Sequence, residues 1–169
     1  MTRALAPLVE IHHRLDDVFA HVRELVLVGD GRRAAALLDV FHGLTARHAA
    51  DEEARLVPRL DATARWPAEL YFGQHVKLLA AIGRLRAPVA AVDRATPGWR
   101  RAALVALDAA APVLHLAEHH HLAEEQDLFV HAAATAPALI DELAARWRAD
   151  LDGARGALDD AIAALAAAP

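Results

Sequence analysis

Two stretches of the chain carry the same chemistry at the same spacing. Arg47 to Leu60 reads RHAADEEARLVPRL and His119 to Ala132 reads HHHLAEEQDLFVHA, and their overlay puts His48 on His120, Glu52 on Glu124, Glu53 on Glu125 and Leu56 on Leu128. The shared pattern is H-x-x-x-E-E-x-x-L. On a helix, residues four apart stand one above the other, so each copy aims an imidazole and a carboxylate at one point, which is an arrangement for holding a metal ion. One copy alone is better read as a solvated i,i+4 pair. Two copies in matching apolar surroundings argue for ligands.

Those surroundings are helical stripes. Leu37, Phe41, Leu44, His48, Glu52 and Leu56 follow at steps of three or four, as do Val113, Leu116, His120, Glu124 and Leu128, so both pairs face a core. An unpaired buried carboxylate is costly, and a charge in such a place is normally paired or bound to metal. Two further stripes bring single histidines inward. Residues 4 to 28 carry Leu8, His12, Leu15, Phe19, Val22 and Val26, ended by Gly29-Asp30-Gly31, and residues 67 to 87 carry Tyr71, His75, Leu78, Ile82 and Leu85. The stripe selects His12 over His13, which lies with Glu10 and Asp17 on the polar side. Helix two is expected over about 32 to 60 and helix four over about 97 to 132, with Pro112 a candidate kink. Residues 88 to 98 read as the longest connection.

These elements predict an all-α fold, an antiparallel up-down-up-down four-helix bundle. With alternating directions and a rise of 1.5 Å per residue, all six side chains fall about 12 to 15 Å from one end of the bundle. Composition narrows the chemistry. The chain has 169 residues, 56% of them hydrophobic, which suits one core, and it has no cysteine, which leaves histidine and carboxylate to hold any metal. A net charge of −5 offers no basic field for nucleic acid or anionic lipid. No apolar run is long enough for a membrane span and MTRALAPLVEIHH lacks a signal-peptide core, so a cytoplasmic protein is expected.

Four imidazoles and two carboxylates exceed the needs of one tetrahedral zinc, and a calcium or magnesium site would be dominated by oxygen. Two metal ions fit the set, with His12 and His48 on one, His75 and His120 on the other, and Glu52 and Glu124 bridging. Mixed imidazole and carboxylate ligation with open positions suits iron, with manganese or zinc as substitutes, and a solvent oxide or hydroxide bridge completing the centre.

His12 in HHRLDDVF, His48 and Glu52 in HAADEEARLVP, His75 in YFGQHVKLL, and His120 and Glu124 in HHLAEEQDLFV together resemble the hemerythrin-like, or HHE cation-binding, family over about residues 8 to 131. The resemblance implies a non-haem di-iron centre that binds oxygen or a related diatomic or peroxide ligand, or that reports iron and oxygen levels. Oxygen-carrying members have two histidines four apart on the third helix and His-x-x-x-x-Asp on the fourth. Here Tyr71 stands one turn before His75 and the fourth helix offers His-x-x-x-Glu, so one nitrogen ligand is missing and reversible oxygen carriage is disfavoured. Tyr71 is then either an iron or oxygen contact or a core tyrosine satisfied elsewhere. Asp16, Glu53 and Glu125 are candidates for orienting the ligands from behind.

Other signals are weaker. Glu-x-x-His spacing, used by ferritin-like di-iron proteins, occurs at Glu10/His13 and Glu118/His121 but off the inward stripes. His115 and His119 read as polar surface. Two units are expected, a bundle over 1–133 and a C-terminal helix over 134–169. The latter carries Ile140, Leu143, Trp147, Leu151, Ala154, Leu158, Ile162 and Leu165 on one stripe, with a bend or break near Gly153 and Gly156. So large an apolar stripe is covered by the bundle or by a second chain, and its regularity favours a homodimer. Three functions stay open: a sensing or binding module, a di-iron enzyme acting on peroxide or another oxidant, and a structural bundle with a vestigial site. No catalytic residue is assigned.

Overall fold

The computed structural model describes residues 5–168. The described chain is all-helical: α1 (Ala6–Val28), α2 (Gly31–Asp51), α3 (Ala68–Ala90), α4 (Trp99–Ala123), a short α5 (Phe129–Thr135), α6 (Pro137–Gly153) and α7 (Arg155–Ala166). Ala4, where the first helix was expected to begin, and the outermost residues of the two expected units lie outside the described residues. α1 packs on α2, α2 on α3, α3 on α4, and α4 closes against α1. The four inward stripes meet in one core, and Leu8, Leu56, Val113 and Leu128 are fully buried in it. No described helix is long and apolar enough to cross a membrane.

Helices two and four do not continue as uniform α-helix. Each widens into a π-helical turn that begins at its glutamate, Glu52–Leu56 after α2 and Glu124–Leu128 after α4, and the first is followed by a 3₁₀ turn at Val57–Arg59. The N–H of Val57 reaches the carbonyl of Glu52, and that of Phe129 reaches Glu124, the five-residue bonds that define such a turn. The extra residue shifts the helical phase. Val57 and Phe129 are therefore buried beside Leu56 and Leu128, which a uniform 3.6-residue stripe does not indicate.

At the far end the connections lock together. Gly29 ends α1 at φ 84°, where glycine is favoured, and Asp30 caps α2 by accepting from the Arg33 N–H at 3.0 Å. Gly31 donates its N–H to Val92 at 3.0 Å, and a Cβ there would overlap the carbonyl oxygens of Val89 and Val92. The connection expected from Pro88 is shorter than that, because α3 runs through Pro88 to Ala90. The proline removes one hydrogen bond, and burial of Val89 and Val92 holds the last turn helical. α4 likewise runs through Pro112.

The C-terminal segment breaks at Ala154, between the two glycines, and both halves pack on α1 and α2. Ile140, Leu143, Trp147 and Leu151 are buried as their stripe requires. Beyond the break the phase rotates. Ile162, expected on the stripe, is 44% exposed, Leu158 and Leu165 are half-buried, and Ala161 is the residue of α7 that is buried. A polar ladder runs between α6 and α2 with the π turn that follows it: Arg47 pairs with Asp150 at 3.3 Å, Asp51 with Arg146 at 3.1 Å and Arg55 with Glu142 at 2.7 Å.

Candidate metal centre

His12, His48, Glu52, His75, His120 and Glu124 converge between α1, α2, α3 and α4, and none is more than 4% exposed. Their donor atoms form two groups of four, His12, His48, Glu52 and Glu124, and Glu52, His75, His120 and Glu124, each with atoms within 4.8 Å of one another. Both carboxylates belong to both groups. The stripes explain the convergence, since each of the six interrupts an apolar row at the level where the rows meet.

Consecutive glutamates divide the labour. Glu52 Oε2 lies 3.2 Å from Nε2 of His75 while Glu53 Oε1 accepts from its Nδ1 at 2.8 Å. In the other half, Glu124 Oε2 lies 3.3 Å from Nε2 of His12 and Glu125 Oε1 accepts from its Nδ1 at 2.8 Å. Two neighbours can hold opposite edges of one ring because the π turn rotates less per residue than an α-helix, which keeps their side chains from diverging. Within each helix, Nε2 of His48 lies 3.1 Å from Glu52 and that of His120 lies 2.8 Å from Glu124.

The outer partners set the tautomers. Accepting oxygens behind His12 and His75, and Gln74 Oε1 3.2 Å from Nδ1 of His120, place the ring proton outside and turn the Nε2 lone pair inward. Those lone pairs face carboxylate oxygens. Nε2 of His12, His48 and His75 and all four oxygens of Glu52 and Glu124 are buried without a hydrogen-bond partner. A buried polar group left so costs about 1–3 kcal/mol, more when charged, so the cluster needs positive charge at its middle. In the absence of metal, protons supply it. Burial opposes a charge on His75, but Glu124 and Glu52 outweigh burial and push its pKa up to about 10. Burial and then the charge of Glu52 raise Glu124 above the usual carboxylate range, whereas Glu52, with burial opposing and His48 the largest attraction, falls below it. Burial lowers His120 to about 4, and burial followed by His121 and His48 lowers His12, which keeps both rings neutral.

Asp16 does not orient His12. It is exposed, with Oδ1 3.7 Å from His121, because Asp16 lies one turn along α1 on the solvent side, and the place behind His12 is taken by Glu125. The Tyr71 hydroxyl donates to Asp127 Oδ2 at 2.9 Å, and burial together with that bond raises its pKa far above the usual phenol value, so phenolate ligation would require breaking the bond. His13 is exposed, as its phase indicates.

Three contributors were not legible in the sequence. Asp127, buried inside the π turn, accepts from Tyr71 and from the Arg65 and Trp66 N–H groups at 2.9 and 3.3 Å, tying the connection before α3 to the centre. Gln74 looks like an ordinary polar residue beside His75. Trp147 of α6 lies with its ring 4.0 Å from that of His48, and its Nε1 donates to Asp51 at 2.9 Å. Its place in an apolar stripe signalled burial but not the partner. No protein-family model, curated protein or solved structure matches the chain.

Proposed function

We propose that this chain is a non-haem dimetal protein of hemerythrin-like type, with iron as the metal its donors favour, acting as a binding or sensing module for small oxygen-related molecules. The observation that carries the reading is the set of buried, partnerless imidazole nitrogens and carboxylate oxygens, with the outward Nδ1 edges of His12, His75 and His120 already held by hydrogen bonds. Such a shell is what a preorganised cation site requires. His12 and His48 would hold one ion, His75 and His120 the other, and Glu52 and Glu124 would bridge. Four protein donors per ion leave positions free for a small ligand, and bound iron would supply electron transfer and Lewis acidity to it. The sequential packing of α1 to α4 and the meeting of their ligands at one level favour the antiparallel up-down-up-down bundle.

Reconstitution of the metal-free chain with ferrous iron, followed by elemental analysis, tests the reading. About two irons per chain are expected. Glu52→Ala and Glu124→Ala should each disturb both ions, whereas His48→Ala and His120→Ala should weaken one more than the other. A reproducible count near zero for the folded, reconstituted chain rejects the proposal.

A further inference from the structure

With all six ligands buried, an ion must enter through some wall of the bundle. The wall between α1 and α4 carries a cleft of about 460 Å³ lined in part by His12, His13, Asp16, Glu118, His121 and Glu125. His13 and Asp16 stand three apart on α1, and Glu118 and His121 stand three apart on α4, so each helix presents one imidazole and one carboxylate to the same space. Nδ1 of His121 lies 3.7 Å from Asp16. Asp16, Glu118 and Glu125 make the cleft acidic, and the mixed nitrogen and oxygen donors suit first-row divalent ions better than calcium or magnesium.

His12 is the partition between cleft and centre. Its Nδ1 edge meets Glu125, whose side chain is 26% exposed, its Nε2 edge meets Glu124, whose side chain is 0% exposed, and one face stacks on His121 at 4.0 Å. A hydrated divalent ion with six waters needs about 180 Å³ at about 30 Å³ per water, which the cleft provides. The opening beside His48, under Trp147, has about 10 Å³, room for about one water.

We propose that the α1–α4 cleft is the loading port of the centre, where His13, Asp16, Glu118 and His121 capture a hydrated divalent cation before it passes Glu125 and His12. This rests on the dimetal reading above. A port of this kind changes rates, not equilibria. Removing its charges slows uptake and release by the same factor and leaves the final affinity alone.

The test compares the metal-free wild-type chain with the triple variant H13Q/D16N/E118Q, whose three positions are exposed. Stopped-flow absorbance with cobalt(II) follows loading, and competition with a chelator gives affinity. The variant should load about tenfold or more slowly, within the range that electrostatic focusing contributes to association, and still reach two ions per chain with unchanged affinity. Added salt should slow the wild type more than the variant. The control E69Q/D108N removes an equal number of negative charges outside the cleft and should load as wild type. A variant that loads at the wild-type rate, or is slowed no more than the control, overturns the port while leaving the centre standing, as does a wild-type rate indifferent to salt. A wild-type chain that takes up neither cobalt nor iron overturns the centre itself and the port with it.

Discussion

Glu53 and Glu125 show how much of the centre depends on atoms that would not touch a metal. Each accepts a proton-bearing Nδ1 at 2.8 Å and so decides which nitrogen of His75 and of His12 faces inward. Glu53→Gln and Glu125→Gln keep the size and, by turning an N–H toward the ring, can reverse the tautomer. Each should lower metal affinity about 10- to 100-fold with the far-ultraviolet circular dichroism unchanged. Wild-type affinity in both variants would show that ring orientation is set by packing alone. The same groups give the metal-free chain a signed pH dependence. His75 is raised from 6.5 to about 10, so the stability it contributes is complete below about pH 6.5 and is lost as pH rises toward 10. Glu124, raised from the ordinary carboxylate range, acts in the same direction. Metal binding has the opposite sign, because its ligands must be deprotonated. The unfolding free energy of the metal-free chain should therefore fall between pH 6.5 and 8.5, by at most about 1.4 kcal/mol per pH unit for each proton involved, and its melting temperature with it, while the gap to the loaded chain widens. Parallel calorimetric curves across that range would count against the assignment of protons as stand-ins for metal.

α6 is the element whose role sequence periodicity describes least well. Its apolar stripe demands cover, but the cover includes a candidate ligand: Trp147 lies over His48, the one cluster imidazole whose Nδ1 has no hydrogen-bond partner. The indole also holds Asp51 through Nε1, and Arg146 adds a second contact to the same carboxylate. Trp147→Ala should cost about 3–5 kcal/mol in chemical denaturation, the range for a buried large aromatic. It should also loosen the metal at His12 and His48 in preference to that at His75 and His120. Loss of stability with both metals equally retained would restrict Trp147 to packing.

At the scale of the whole molecule, the C-terminal segment covers the bundle that precedes it. Leu143, Trp147 and Leu151 are spent against the segment's own α1 and α2, leaving Ile162 as the exposed large residue of the predicted stripe. Truncation after Pro137 should therefore uncover the α1–α2 face and give a less soluble, less stable chain. Light scattering of the full-length and truncated proteins checks this. A full-length dimer that becomes a soluble, metal-loaded monomer on truncation would assign the stripe to a second chain instead.

The inward set was determined by sequence alone, because a helix repeats every 3.6 residues and a stripe of buried positions betrays any polar residue within it. His12, His48, Glu52, His75, His120 and Glu124 all lie on such stripes, and all six are buried together. The break between Gly153 and Gly156 was legible for a similar local reason, the poor helix propensity of glycine. Tertiary structure decided what stands behind the buried imidazoles. Glu125 rather than Asp16 backs His12, Gln74 backs His120, and Asp127 receives Tyr71, because these pairings join residues 113, 46 and 56 positions apart. The π turns belong to the same class. A single-residue change of phase at Glu52 and Glu124 leaves the apolar stripes readable from either side, yet it is what lets adjacent glutamates hold two edges of one ring on a neighbouring helix.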